Sequence, residues 1–178
     1  MEKFYKNIIG TPIMEEGNVR PLTVVKDLVV DPERGKLVAL KVDINKNLVI
    51  APIDILAWSD AIFVHSEDSI IQGEDILRVA EIQKKNISFY KNRVYSKDGH
   101  YLGRVVDFSI DTKSLMLKKL IISKGIIGLV HFDMRIISSK DIIEVTANKI
   151  IVRHNLIKVK AGRKSHQKGH LRIEDVPV

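Results

Sequence analysis

Apolar residues run along this chain in short stretches, and the stretches are punctuated by Asp, Asn, Gly and Pro. Leu22–Val30 and Leu37–Val42 flank Asp31-Pro-Glu-Arg-Gly35, whose early Pro and closing Gly suit a tight turn. Asn45-Lys-Asn47 predicts the next reversal, followed by Leu48–Ala51, a kink at Pro52 and a strand over Ala61–Val64. Further on, Phe89–Tyr95 and Tyr101–Ile110 surround Lys97-Asp98-Gly99, a strong hairpin signal. Leu115–Ile122, Met134–Ile137 and Lys149–Val152 complete this second set of predicted strands. Between the sets, Ile76, Val79 and Ala80 follow helical spacing. Glu74 and Asp75 precede them and Lys84 and Lys85 follow, which complements a helix dipole, and Asn86 is a suitable stop.

The two sets are copies of one pattern at an offset of about 80 residues. Leu22/Leu102, Val25/Val105, Asp27/Asp107, Asp31/Asp111, Leu37/Leu117 and Leu40/Leu120 are identical, and Val30/Ile110 and Val42/Ile122 are close matches. The identities fall on the apolar rhythm and on paired aspartates, so they mark a structural repeat. About five short strands per copy, with turns every 8–12 residues, predict a small barrel or rolled sheet. The expected organisation is a first repeat over 1–72, a linker helix over 73–86, a second repeat over 87–154 and a tail over 155–178.

Composition narrows the functional classes. The apolar supply is mainly Ile, Val and Leu, which favours strands. The chain has no cysteine, which excludes disulfides, thiol catalysis and thiolate metal sites and suits a reducing cytoplasm. No apolar run reaches the ~18 residues of a spanning helix, so no transmembrane segment is expected and the localisation read from the sequence is cytoplasmic. Of the net charge of +7, +5 lies from Arg153 onward. His166 and His170 have helical spacing, but neighbouring glycines and the missing carboxylate argue against a metal site. No nucleophile elbow, phosphate-cradling loop or dinucleotide fingerprint is present, so neither a cofactor nor catalysis is expected.

The string Asn92-Arg-Val-Tyr-Ser-Lys-Asp-Gly-His-Tyr-Leu-Gly-Arg-Val-Val-Asp-Phe-Ser-Ile-Asp111 resembles the opening of PRC-barrel domains. Ile136-Ile-Ser-Ser-Lys-Asp-Ile-Ile-Glu144 resembles their closing element. The first copy departs from the pattern: Thr23 stands where the family usually has Gly. The resemblance implies that both copies are small PRC-type β-barrels. With the helix and the tail read from the residues, the expected fold is mainly β, two tandem barrels joined by a short α-helix and followed by a flexible basic tail. The resemblance also implies a non-catalytic module that docks onto other proteins. Family members serve in ribosome maturation and in a photosynthetic membrane complex. Two settings follow, a cytoplasmic adaptor near RNA or the ribosome, or alternatively a peripheral membrane or cell-envelope scaffold.

Four sets of residues stand out as candidate sites. Asp27, Asp31, Asp107 and Asp111 are expected to serve turns and barrel rims, since carboxylates four apart on one strand lie about 13 Å apart and cannot share an ion. Gly125–Phe132 is an apolar insertion of the second copy, in which Ile126, Ile127, Leu129, Val130 and Phe132 either pack against the protein or form a partner-docking loop. Trp58, the only tryptophan, is expected in a turn as a lid on the first core. The tail is expected to be disordered and to contact RNA or another anionic surface without specificity. Arg163, Lys164, Lys168 and Arg172 would lead there, with Lys158 and Lys160 supporting them.

Overall fold

Each aspartate-initiated turn closes a hairpin, and the hairpins assemble in the same order twice. The computed structural model describes residues 1–125, 133–153 and 157–158. The first copy contains β1 (Glu2–Phe4), α1 (Tyr5–Ile8), β2 (Pro12–Glu15), β3 (Pro21–Val24), β4 (Asp27–Val30) and β5 (Leu37–Asp43). It continues through β6 (Leu48–Ile50), β7 (Ile55–Trp58), β8 (Ile62–Val64), β9 (Ile70–Gln72) and α2 (Leu77–Lys84). The second has β10 (Arg93–Ser96), β11 (Tyr101–Asp111), β12 (Leu117–Lys124), β13 (Asp133–Ser138), β14 (Ile142–Val145), β15 (Ile150–Val152) and β16 (Ile157–Lys158). The protein is mainly β.

Strand order repeats one for one. The second copy runs β14-β15-β10-β11-β12-β13-β16 in a single sheet. The first runs β7-β8-β2-β3 and β4-β5-β6-β9, the same order interrupted between β3 and β4. In both copies one pair is parallel, β2 with β8 and β10 with β15, while the hairpin neighbours are antiparallel. The last strand recurs too: β9 pairs with β6, and β16 pairs with β13 through Arg135 and Ile136. Two residues of the segment assigned to the tail, Ile157 and Lys158, thus have their backbone in the sheet.

The interruption in copy one has a local cause. At Gly103 the backbone has φ +139°, and a Cβ built there would lie 2.5 Å from the carbonyl oxygen of Ser123. Only glycine lets β12 pass this close to β11, so β11 continues unbroken for eleven residues. Thr23 occupies the equivalent place, since Ile13 faces Thr23 as Val94 faces Gly103. With a Cβ there, the pairing of β5 ends at Asp27–Lys41, and the predicted strand Leu22–Val30 divides into β3 and β4. The strand expected over Phe89–Tyr95 is also shorter, because Lys91 adopts a left-handed turn and pairing begins at Arg93.

The copies are joined more closely than by a linker. β1 lies in the first repeat by sequence but pairs antiparallel with β11 of the second, Lys3 facing Ile110. Lys36 forms an antiparallel bridge with Met116, its own equivalent at the 80-residue offset. Leu37 donates to the Leu115 carbonyl at 2.8 Å and Leu117 to the Gly35 carbonyl at 2.7 Å, a reciprocal pair that places a pseudo-twofold axis at this point. One apolar core runs through both copies, from Ile8, Ile13, Leu40 and Ile62 to Val94, Phe108, Leu120 and Ile150.

The helix expected as a linker is part of copy one. Val79 and Ile82 of α2 pack on Val29, Ala39 and Val49, the outward face of β4, β5 and β6, as a second small core. The helix stops at Asn86 (φ +51°), where Asn86 donates to Gln83 and Ile87 to Ile82, the bond pattern of a Schellman cap. On the matching face of copy two, β1 lays Phe4 beneath the Lys119 ammonium (5.3 Å to the ring centroid) and pairs Glu2 with Lys119 at 2.8 Å.

Candidate functional site

The four repeated aspartates all lie near the seam between the copies, and each accepts local backbone hydrogen bonds. Asp31 caps Glu33 (2.9 Å) and Arg34 (3.1 Å), and Asp111 caps Lys113 (3.1 Å) and Ser114 (2.8 Å) in the matching turn. Asp27 accepts from the Leu28 N–H and from the Tyr5 hydroxyl, and Asp107 from the N–H groups of Phe108 and Lys6. In each pair, one aspartate shapes a turn and the other ties the N-terminal segment to the seam. Among the described residues no group of three or more His, Asp or Glu is placed to hold a metal ion.

Asp31 anchors an ion-pair network that ties its turn to α2. Its carboxylate is only 2% exposed and takes a two-pronged bond from Arg78 of α2, Nε at 2.9 Å and Nη2 at 2.8 Å. Arg78 also reaches Glu33 (3.2 Å) and Glu81 (2.9 Å). The guanidinium, aided by the Glu33 and Arg34 N–H groups, holds the Asp31 pKa down to about 2 against the opposing effect of burial. Its partner Arg78 is shifted upward, chiefly by Asp31. Hydrogen bonds from the Ser114 N–H and hydroxyl, aided by the Lys113 N–H, likewise hold Asp111 below the usual carboxylate range. A depressed folded pKa adds stability above the unfolded value near 4, and that stability is lost as the pH falls from about 4 towards 2. The Asp31→Ala variant is expected to lose about 2 kcal/mol at neutral pH by this linkage and through its lost turn cap. Urea melts at pH 7 and pH 3 would check it, the difference from the parent shrinking at the lower pH.

Aromatic rings fill the seam beside these turns. Tyr5 lies 4.8 Å from both Tyr90 and Phe108, and Phe89 lies 6.1 Å from Phe108, measured between ring centroids. Burial and the neighbouring Asp27 carboxylate push the Tyr5 phenol upward, so it stays protonated and remains a donor. Next to the pseudo-twofold bridge a cleft of about 480 Å³ opens, floored by Gly35, Phe89, Met116 and Leu117 and walled by Ile142 and Ile143. Ile143 on this wall is 47% exposed.

Against this geometry, the sequence profile of the PRC-barrel domain matches the chain twice, over residues 1–85 and 88–153. The chain belongs to the PRC-barrel family. No curated protein gives a significant match. The first match includes α2, in keeping with its packing on copy one, and the second starts just past the Schellman cap. PRC-barrel domains are protein-interaction modules of a non-catalytic binding fold.

Of the candidates read from sequence, Ile126, Ile127, Leu129, Val130 and Phe132 lie outside the described residues, as do Lys160, Arg163, Lys164, Lys168 and Arg172. Lys158 has its backbone in β16. Trp58 sits in strand β7 instead of a turn, because Pro52–Asp54 makes the turn and pairing with β8 begins at Ile55. Its ring packs against the core, and its buried Nε1 has no hydrogen-bond partner among the described residues. No helix of the described residues is long and apolar enough to cross a membrane. Sequence reasoning missed Arg78, which lies 47 residues from Asp31, and nothing local in the chain links the two.

Proposed function

We propose that this PRC-barrel pair is a non-catalytic protein-binding adaptor working in an RNA-rich, ribosome-associated setting. The observation that carries the reading is the seam: two copies of an interaction barrel are fused about a pseudo-twofold axis by β1, the Lys36–Met116 bridge and one shared core. A pair joined in this way presents its docking faces at fixed spacing, which suits a protein that holds a partner in place. The cleft beside the bridge, with the exposed Ile143 on its wall, is the surface best shaped to receive an apolar anchor from such a partner. The ribosomal setting is supported by the chain from Arg153 onward, whose net +5 attracts polyanions at long range.

Affinity purification of the tagged full chain from native cells, with and without nuclease, tests the reading. A protein partner is expected to survive nuclease and to be lost from the Ile143→Asp variant, which places an unpaired charge in the cleft. Ribosomal proteins among the retained partners would support the setting. Recovery of no stoichiometric protein with the parent chain would count against an adaptor.

A further inference from the structure

A second groove, which shares no lining residue with the seam cleft, has a chemistry of its own. It measures about 340 Å³ and lies along the base of the β10–β11 hairpin, lined by Lys91, Arg93, Arg104 and Asn148, with Tyr90 at its side and no carboxylate in the lining. Arg93 and Arg104 are direct cross-strand partners. Like charges facing each other across a strand pair repel, and among the described residues none of the three cations has an ion-pair partner. Lys91 holds a left-handed backbone (φ +65°) with its ammonium 5.4 Å from the centre of the Tyr90 ring.

The groove is firmly built. Asn92 beneath it is 8% exposed, donates from its amide to the carbonyls of Ser88 (3.0 Å) and Thr146 (2.8 Å), and accepts from the Arg93 N–H (2.8 Å). These bonds lock the turn that carries Lys91 and Arg93 to the loop that carries Asn148. One strand repeat further along the same outward face, about 7 Å away, Tyr95 and Tyr101 form the next cross-strand pair, their rings 5.4 Å apart. Tyr101 is 38% exposed.

The internal repeat supplies a control within the molecule. Equivalent backbone bonds align Gly10 with Lys91, and equivalent strand pairs align Pro12–Val24 with Arg93–Arg104 and Met14–Pro21 with Tyr95–Tyr101. The first copy builds the same hairpin with glycine, proline and apolar residues. The fold therefore does not require three cations and two tyrosines here, and it places a lysine where a glycine would be unstrained.

We infer that the outward face of the β10–β11 hairpin binds single-stranded nucleic acid, with Lys91, Arg93 and Arg104 engaging phosphates and Tyr101 offering a ring for base stacking. Unpaired cations beside an exposed aromatic ring are the combination that single strands recognise, since a duplex hides its bases from such a ring. This goes beyond the adaptor reading and requires no protein partner, so its failure would leave the protein-binding part of that reading untouched.

The test uses the purified full chain and a labelled, unstructured 12-nucleotide RNA, with fluorescence anisotropy read at several salt concentrations. The Arg93→Ala/Arg104→Ala double variant is expected to bind about tenfold or more weakly, with a log–log salt slope smaller by about 1.4, two phosphate contacts at roughly 0.7 each. Tyr101→Ala is expected to lose about tenfold with the salt slope unchanged, because stacking releases no counterions. The double variant should melt no lower than the parent, since it removes a repulsive pair. A further variant with Arg163, Lys164, Lys168 and Arg172 changed to serine separates the tail from the groove. If that variant loses all binding while the hairpin variants bind like the parent, the proposal is overturned. It is equally overturned if duplex RNA of the same length binds as tightly as the single strand, or if the parent chain binds neither.

Discussion

Replacing Gly103 with alanine is expected to lower the stability of the whole chain by about 3 kcal/mol or more. Two effects add at this residue. The backbone is at φ +139°, where an L side chain is strained, and the new Cβ would lie 2.5 Å from the Ser123 carbonyl oxygen and 2.7 Å from its carbon. Those atoms belong to the backbone of β12, so relief requires moving a strand that is paired on both sides, to β11 and β13. Copy one shows the alternative arrangement: with Thr23 in this place, the long strand is split in two. Gly99→Ala is the control. Gly99 also has positive φ (+83°), but an added methyl group there would meet nothing within 4 Å, so this variant should lose only about 1 kcal/mol from the turn conformation. Denaturant midpoints for the two variants decide the matter. Equal losses would mean that the close approach of β12 contributes nothing and that backbone conformation alone accounts for the glycine.

Much of this architecture was legible in the chain because it rests on local chemistry. The turn at Asp31–Gly35, the hairpin at Asp98-Gly99 and the stop at Asn86 each depend on residues within a few positions of one another. The 80-residue identities then implied that two such sets share one fold, and the repeated strand order agrees. What escaped depends on distant partners. Glu2-Lys-Phe4 has no strand signature of its own, and it is extended because β11 offers an unpaired edge beyond the end of β10. The helix reads as a linker because it lies between the two sets of strands, yet Val79 and Ile82 find a surface to cover once Val29, Ala39 and Val49 face them. The Arg93–Arg104 pair was within reach. Counting outward from the Asp98-Gly99 turn brings these residues opposite each other, and the charge repulsion then calls for an explanation.

Phe108→Ala is expected to lower stability by about 3–5 kcal/mol, and the two copies should lose it together. Phe108 is 2% exposed in the middle of β11, and its ring stacks on Tyr5 from the N-terminal segment and tilts against Phe89. Tyr5 in turn bonds Asp27 of copy one, so the cavity left by alanine would open where the two copies share their core. For a chain of this length, the loss corresponds to a fall in melting temperature of about 10 °C. The single tryptophan makes the coupling measurable, because Trp58 sits in β7 of copy one while the substitution sits in copy two. Tryptophan fluorescence then follows the first copy alone, whereas far-ultraviolet circular dichroism follows both. Shared burial and the β1–β11 pairing require both signals to shift by the same amount and to stay coincident. If the fluorescence midpoint keeps its parental value while the dichroism transition splits in two, the copies fold independently, and the seam is a contact surface between finished domains.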